Sequence, residues 1–476
     1  MMPEVEKPGA AGRALPIWSY LAEQARKHVE TRRYREGERI FCAIIALFGK
    51  HPTLLNGLGV CHAGLGDLHT AVECYREALQ LSPGLDSAWN NLGNALNRLG
   101  RHRTAVRCLT RARALAPALP SYAHNLGIAY AGIGDDERAI EQYEQALALG
   151  AANRSGIEWD LARALLRVGQ LERGWALYES RWAGAPGAPP RPNHPGQAWR
   201  GTEYRGRRLL VWSEQGFGDV IQCARYLSWA ADLGGELVLA TRPELARLLP
   251  EFNTVAVENG QAVVGEFDWQ CSILDLPRLH HDAGAPPVAG PYLAAPPASV
   301  AALAGRLPPR DKRLRVGIVW SGSVTFAGNR TRAISCDQLV GALATVPDVE
   351  LFNLQKGEPA AELQRCRWHA SITDVMPYCR DFADTAALIE ALDLVIMTDS
   401  AVAHLAGALG RPVWVLLEHA PHWLWGRRGT SSAWYPSMRF YRQPCPGSWD
   451  AVLDSVVADL FDFGASRAPV DQLTAA

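Results

Sequence analysis

The stretch LVIMTDSAVAHLAGALGRPVWVLL, Leu394–Leu417, decides how the larger part of this 476-residue chain folds. Its first apolar run, Leu394–Met397, has the length of a buried parallel strand. A polar turn follows, Thr398-Asp399-Ser400, then a small-residue helix over Ala401–Leu409 closed by Gly410 and Pro412, then a second apolar run, Val413–Leu417. Strand, turn, helix and strand in that order make a βαβ unit. In an open α/β sheet ligands collect where such a helix begins, because its first N–H groups are unpaired and carry partial positive charge. Ser400 stands where a helix cap is expected, and His404, one turn in, leans back toward the helix start. A capped structural helix around a satisfied core histidine would account for the same residues, so this stretch alone speaks for the fold and not for the chemistry.

Outward from it the α/β pattern continues on both sides. Val316–Trp320 and Glu350–Leu354 read as strands, Ser321–Thr331 as a long polar loop, and Ile334–Val346 and Asp384–Leu392 as helices. Arg332 and Lys356 are cations near strand ends on one rim, suited to clamping a diphosphate, although solvation is the commoner fate of such side chains. Downstream, Trp423, Trp425, Trp434, Tyr435, Phe440 and Tyr441 crowd into Pro421–Gln443, where packing is the ordinary role of aromatics. Trp449–Leu460 reads as an amphipathic helix expected to cross back and brace an earlier part of the fold.

That earlier part holds a second strand–loop–helix corner. Arg208–Ser213 is the strand, Glu214 to Asp219 the glycine-containing loop, and Asp219–Leu233 a helix with Val220, Cys223, Ala224, Leu227 and Ala231 on one face. Gly216, Gly218 and Gln222 belong to this loop and the helix it opens. A carboxylate at the junction is repelled by phosphate and suits an acceptor hydroxyl, so Asp219 is the candidate general base. Its plainer role would be a stabilising acid in the first helical turn.

The N-terminal third has a period. Gly59, Gly93 and Gly127 step by 34 residues, as do Gly66, Gly100 and Gly134, Ala71, Ala105 and Ala139, and Ala78, Ala112 and Ala146. Tyr75, Leu109 and Tyr143 supply a bulky column, and Pro83 and Pro117 close two units. Two amphipathic helices per unit with a turn at the later glycine resemble the tetratricopeptide repeat. An irregular unit precedes (Tyr20 to Pro52) and a degenerate one follows (Trp159–Trp182). Arrays of this kind bind extended peptides on a concave face or serve as scaffolds. Asn91 and Asn125 resemble the asparagine ladder lining the groove in the O-GlcNAc transferase family, a column broken at Gly57 and altered at Asp160.

Composition sets the outer bounds. Hydrophobic residues make up 48% and charged residues 20%, with a net charge of −1, which suits a soluble multidomain protein and gives no global field for nucleic acid. Ten cysteines lack metal-ligand spacing, so no metal is expected, and a reduced cytoplasmic setting fits. No apolar run has the length of a membrane span.

EQGFGDVIQCARY (Glu214–Tyr226), VGIVWSGS (Val316–Ser323), NLQKG (Asn353–Gly357), DFADTAALIEALDLVIMTDSAVAHLAGALGRPVWVLL (Asp381–Leu417) and AWYPSMRFYRQ (Ala433–Gln443) together resemble the glycosyltransferase family that includes the lipopolysaccharide heptosyltransferases. More closely, the chain is similar to bacterial proteins that join tetratricopeptide repeats to such a domain. The resemblance implies an all-α repeat superhelix followed by an α/β GT-B domain of two Rossmann-like halves, acceptor held by the first and nucleotide-sugar by the second. It implies a metal-independent transfer with no cofactor, Asp219 as catalytic base, and donor phosphates at Asp399, Ser400, Ala401 and His404, with Arg332 (or Arg330) as the basic contact. The expected segments are a flexible tail at 1–17, repeats at 18–182, a Pro/Gly-rich linker at 183–206, the acceptor half at 207–308, the donor half at 309–463 and a second tail at 464–476. The expected partners are a nucleotide-sugar and a protein or peptide acceptor held by the repeats, with a homo-oligomer left open. Ala327-Gly328-Asn329, Ala333 and Pro421-His422-Trp423-Leu424-Trp425 depart from the wording of relatives. They keep two alternatives in view, a repeat scaffold carrying an inactive GT-B domain and a sugar-nucleotide epimerase or hydrolase.

Overall fold

The computed structural model describes residues 17–184, 191–214, 216–257, 263, 265–284, 290–326 and 328–465. Most of both expected tails, the middle of the linker, Gln215 and Ala327 lie outside the described residues. The chain divides into two compact units, Met1–Gly169 with Leu177–Pro186, and Gln170–Ala176 with Gly187–Ala476.

The first unit is built of antiparallel helix pairs: Ile17–Glu30 with Tyr34–Phe48, Pro52–Gly64 with Leu68–Leu81, Asp86–Arg98 with His102–Leu115, Pro120–Ile133 with Asp136–Ala148, and then Arg154–Arg167. The repeating columns have a direct physical cause. A Cβ built on Gly59, Gly93 or Gly127 would come within 2.5 Å of the Tyr75, Leu109 or Tyr143 side chain, so each glycine is the socket for the bulky residue of its partner helix. Ala71, Ala78, Ala105, Ala112, Ala139 and Ala146 are fully buried where the two helices approach. Replacing Gly127 by Ala drives a methyl into the buried Tyr143 ring, and overpacking of this kind costs about 1–3 kcal/mol. The expected result is a lowered midpoint for the repeats' unfolding transition, followed by far-UV circular dichroism.

The second unit carries two all-parallel sheets. In the first the strand order is Gln197–Ala198, Trp269–Ser272, Arg208–Trp212, Glu236–Thr241, Asn253–Ala256. In the second it is Met438–Arg442, Val413–Leu417, Leu394–Thr398, Leu314–Val319, Val349–Asn353, Ile372–Thr373. The central strands Arg208–Trp212, Leu394–Thr398 and Val413–Leu417 read as nearly unbroken apolar runs because both sheet faces are covered there, whereas Gln197–Ala198 and Asn253–Ala256 at the edges of the first sheet are largely exposed. Each sheet reverses its winding once, between Arg208–Trp212 and Trp269–Ser272 in the first and between Leu314–Val319 and Leu394–Thr398 in the second. Loops leaving strands at such a reversal diverge and open a crevice.

Local differences from the sequence reading are instructive. The segment read as one helix over Asp219–Leu233 is a helix at Phe217–Cys223, a 3-10 turn at Ala224–Tyr226 and a second helix at Leu227–Asp232. Among the described residues the last helix, Asp450–Ala465, buries its apolar face on the second sheet, where bracing of the first half was expected. Val452, Leu453, Val456 and Leu460 join Leu339, Val340, Ile396 and Leu416 in the core of the second sheet. Its apolar face showed that it packs, and only the contact shows where. Among the described residues no helix is long and apolar enough to cross a membrane.

Candidate active site

The strand Arg208–Trp212 delivers Glu214 to a loop that Ser272, at the end of the neighbouring strand, holds by donating its hydroxyl hydrogen to Glu214 Oε1. The helix Phe217–Cys223 starts directly after this loop, and Asp219 Oδ2 accepts the Gly216 N–H at 3.0 Å. A Cβ on Gly218 would sit 2.9 Å from His404 Cδ2 and 3.4 Å from the Ala401 Cα. Glycine is therefore what lets this helix lie against the start of the helix Ala401–Ala408. Asp219 is half-buried, and its carboxyl pKa is pushed up to about 6, by burial first and then by the negative charges of Glu214 and Asp399. A carboxylate tuned toward neutrality is suited to accept a proton.

On the facing side Ser400 does not cap the helix. Its backbone is extended (φ −154°, ψ 176°), and no side-chain cap bond forms. Its Oγ is buried without a hydrogen-bond partner, as is Thr398 Oγ1. Asp399, also buried, accepts a hydrogen bond from Arg332 Nη1 at 3.2 Å. Arg332 lies on the short helix Asn329–Arg332 with its guanidinium 4.5 Å over the Phe326 ring. Asn329 shapes the loop before it, accepting the Gly322 N–H at 2.9 Å and donating to Ser321 Oγ at 2.9 Å. Glu418, after the strand Val413–Leu417, completes the ring of charge. Burial raises its pKa, opposed by a bond to Thr331 and by the charge of Arg332.

His404 is buried and stacked on Trp425, ring centroids 4.9 Å apart, with Nδ1 2.9 Å from Tyr435 Oη. Burial lowers its pKa to about 3, so the ring is neutral near pH 7 and cannot meet an anion as a cation. Arg225, from the 3-10 turn after the first-half helix, donates to the Trp434 carbonyl at 2.9 Å and lies 4.6 Å over the Tyr435 ring. At another point Arg247 joins the same two halves through Asp381 (2.9 Å) and Asp384 (3.1 Å).

Gly218, Asp219, Arg332, Asp399, Ser400, Ala401 and His404 are thus brought together, and Gly216 and the buried Gln222 flank them on the first-half side. Lys356 goes elsewhere, its Nζ donating to the carbonyls of Cys379 (2.6 Å) and Arg380 (3.2 Å). Sequence reasoning passed over Arg225, Glu418, Tyr292 and Tyr435. Arg225 falls on the face of the expected helix opposite Val220, Cys223 and Leu227, Tyr435 was counted only among packing aromatics, and Glu418 and Tyr292 left no signal. In the repeats Asn91 Nδ2 donates to Asn56 Oδ1 at 3.0 Å and Asn125 Nδ2 to Asn90 Oδ1 at 2.9 Å, so each amide is engaged with the preceding repeat. Asn91 also lines a groove of about 230 Å³ with Tyr34, Tyr75, Asn94 and Arg98.

Residues 50–118 and 84–152 match the tetratricopeptide repeat, and residues 348–432 match glycosyltransferase family 9 (heptosyltransferase). The chain is 33% identical over 330 residues to Protein FlbA of Caulobacter vibrioides, an alignment covering 64% of this chain and 55% of that protein. It therefore spans about half the length of this curated relative. It is similar in structure to MamA 41-end from Desulfovibrio magneticus RS-1 (22% identity, 35% of this chain, 94% of that one, TM-score 0.32). It is also similar to a thermophilic TPR protein of Thermus thermophilus (22% identity, 36% of this chain, 92% of that one, TM-score 0.31). The paired parallel sheets and the helix start facing a carboxyl group of raised pKa thus lie in the unit whose residues 348–432 match glycosyltransferase family 9 (heptosyltransferase), and the helix pairs of the other unit include the residues that match the tetratricopeptide repeat.

Proposed function

We propose that the second unit is an inverting, metal-independent glycosyltransferase that moves a sugar from a nucleotide-diphosphate donor to an acceptor hydroxyl. Asp219 takes the hydroxyl proton, the acceptor oxygen forms a bond to the anomeric carbon, and the bond from that carbon to the phosphate oxygen breaks with its electron pair leaving on the diphosphate. The N–H groups at the start of Ala401–Ala408, with Arg332, answer the charge that develops there. The observation that carries the reading is the contact at Gly218, which sets a carboxyl with pKa about 6 one residue from the helix start. The first unit provides the hold on a protein or peptide acceptor, a role supported by the groove at Tyr75 and Asn91.

The test is a thermal-shift screen of the full chain against UDP-, ADP-, GDP- and CMP-sugars, followed by product analysis with the donor that stabilises it. A saturating donor at a hundredfold its dissociation constant adds about 2.7 kcal/mol. A shift with one nucleotide class and sugar transferred from it is the expected result. No shift with any of the four would count against transfer and in favour of a binding scaffold. Free sugar released without an acceptor would point instead to hydrolysis.

A further inference from the structure

A neutral imidazole carries one ring proton, and the nitrogen that holds it is set by the hydrogen bond made by the other. At His404 that question has an answer in the chain of acceptors behind the ring. Tyr292 Oη lies 3.0 Å from the Ile221 carbonyl, which can only accept, so the Tyr292 proton is committed there. Arg225 Nη2, which can only donate, approaches the same Tyr292 oxygen at 3.4 Å. Tyr435 Oη stands 3.3 Å from Tyr292 Oη and 2.9 Å from His404 Nδ1. Good O–H···O bonds span about 2.5–3.0 Å, so the 3.3 Å contact makes Tyr292 a poor acceptor and the Tyr435 proton goes to Nδ1, which then accepts. The ring proton is left on Nε2, on the edge that faces Gly218. Stacking on Trp425 keeps the ring from turning over.

We infer that Tyr435 is a positioning residue that fixes His404 as the Nε2–H tautomer, so that a neutral N–H is offered to the oxygens of a bound diphosphate. The second clause rests on the transferase reading; the tautomer does not. Tyr435 comes from the second half, Arg225 and the Ile221 carbonyl from the first, and Tyr292 from the segment joining them. A proton on Nδ1 would present a lone pair to the phosphate oxygens and repel them.

The experiment uses the full chain labelled with 15N-histidine, the His404 signals being assigned by their loss in His404→Gln. Without ligand, the wild type is expected to show a protonated Nε2 and a pyridine-like Nδ1. Tyr435→Phe is expected to lose this preference, and Tyr292→Phe to keep it, because Tyr435 then has only Nδ1 to donate to. Inorganic pyrophosphate titrated into the same samples should bind Tyr435→Phe about tenfold more weakly than wild type, the worth of one hydrogen bond to a charged group. A wild-type proton on Nδ1, which needs no variant to observe, overturns the inference, as does a folded Tyr435→Phe that keeps the wild-type tautomer. The expected tautomers with equal pyrophosphate affinity in wild type and Tyr435→Phe overturn the role toward diphosphate. Failure of the wild type itself to bind pyrophosphate, with the tautomers as expected, counts against the transferase reading and leaves the positioning of His404 standing.

Discussion

Asp219→Asn is expected to lower sugar transfer by about 10²–10⁴-fold, the usual worth of a general base, and at the same time to make the protein more stable. The second effect follows from the raised pKa. In the unfolded chain Asp219 loses its proton near the ordinary value of 3.8, and in the folded protein only near 6. Between these values the folded state holds the extra proton, so this group's contribution to stability falls as pH rises and reaches its full penalty above pH 6. At neutral pH the penalty is about 2–3 kcal/mol at about 1.4 kcal/mol per unit, and an uncharged amide removes it. His404 works in the opposite direction. Its folded pKa is depressed below the unfolded value, so its contribution is present at neutral pH and is lost as pH falls from 6.5 toward 3. The difference in stability between wild type and Asp219→Asn, measured by denaturant titration, should therefore widen from pH 4 to pH 7. A variant that is inactive and less stable at pH 7 would mean that Asp219 is a structural cap. The wild-type rate should fall below pH 6, and the neutral His404 ring cannot be the source of that limb.

Arg332→Met is the second large effect expected. Arg332 and Asp399 form a pair with side chains 16% and 9% exposed, and removing the cation leaves a buried carboxylate without its partner. Breaking such a pair costs about 3–5 kcal/mol, where losing an exposed one costs under about 1. The negative charge of Asp399, no longer offset by Arg332, also raises the Asp219 pKa further. The expected result is a destabilised second unit, weaker pyrophosphate binding and an acid limb moved to higher pH. Arg332→Lys separates charge from geometry: it restores much of the stability but not a planar guanidinium over the Phe326 ring. Unchanged stability in Arg332→Met would show the ion pair to be idle.

How far the site could be read in advance depended on whether its cause was local. The βαβ unit at 394–417 was legible because strand, turn and helix each leave their own pattern, and the repeats because many columns agree on one period. Gly218 was legible as a loop glycine, but its reason is a contact with His404, 186 positions away, which no window of sequence contains. Ser400 had the right identity and position for a cap, and even the extended backbone of one, yet its buried hydroxyl makes no cap bond, an outcome that identity and position do not reveal. Lys356 and Arg332 looked equivalent as rim cations. One is tied to two backbone carbonyls and the other to Asp399, a difference that depends on which loops meet. Tyr292 and Tyr435 looked like ordinary aromatics because only their hydroxyls, converging from distant segments, set them apart.

The strand orders also bear on how the chain is made. Each helix pair of the repeats packs chiefly on the pair just before it, so that region can gain structure while the remainder is still leaving the ribosome. The sheets cannot. Gln197–Ala198 has no neighbour until Trp269–Ser272 has been synthesised, and Leu314–Val319, paired on one side with Val349–Asn353, keeps its other edge open until Leu394–Thr398 follows. Open strand edges of that kind stay sticky for as long as they lack partners. The hazard of misassembly in a nascent chain therefore falls on its later portion, and any helper that shields it must act after the helical array is already in place.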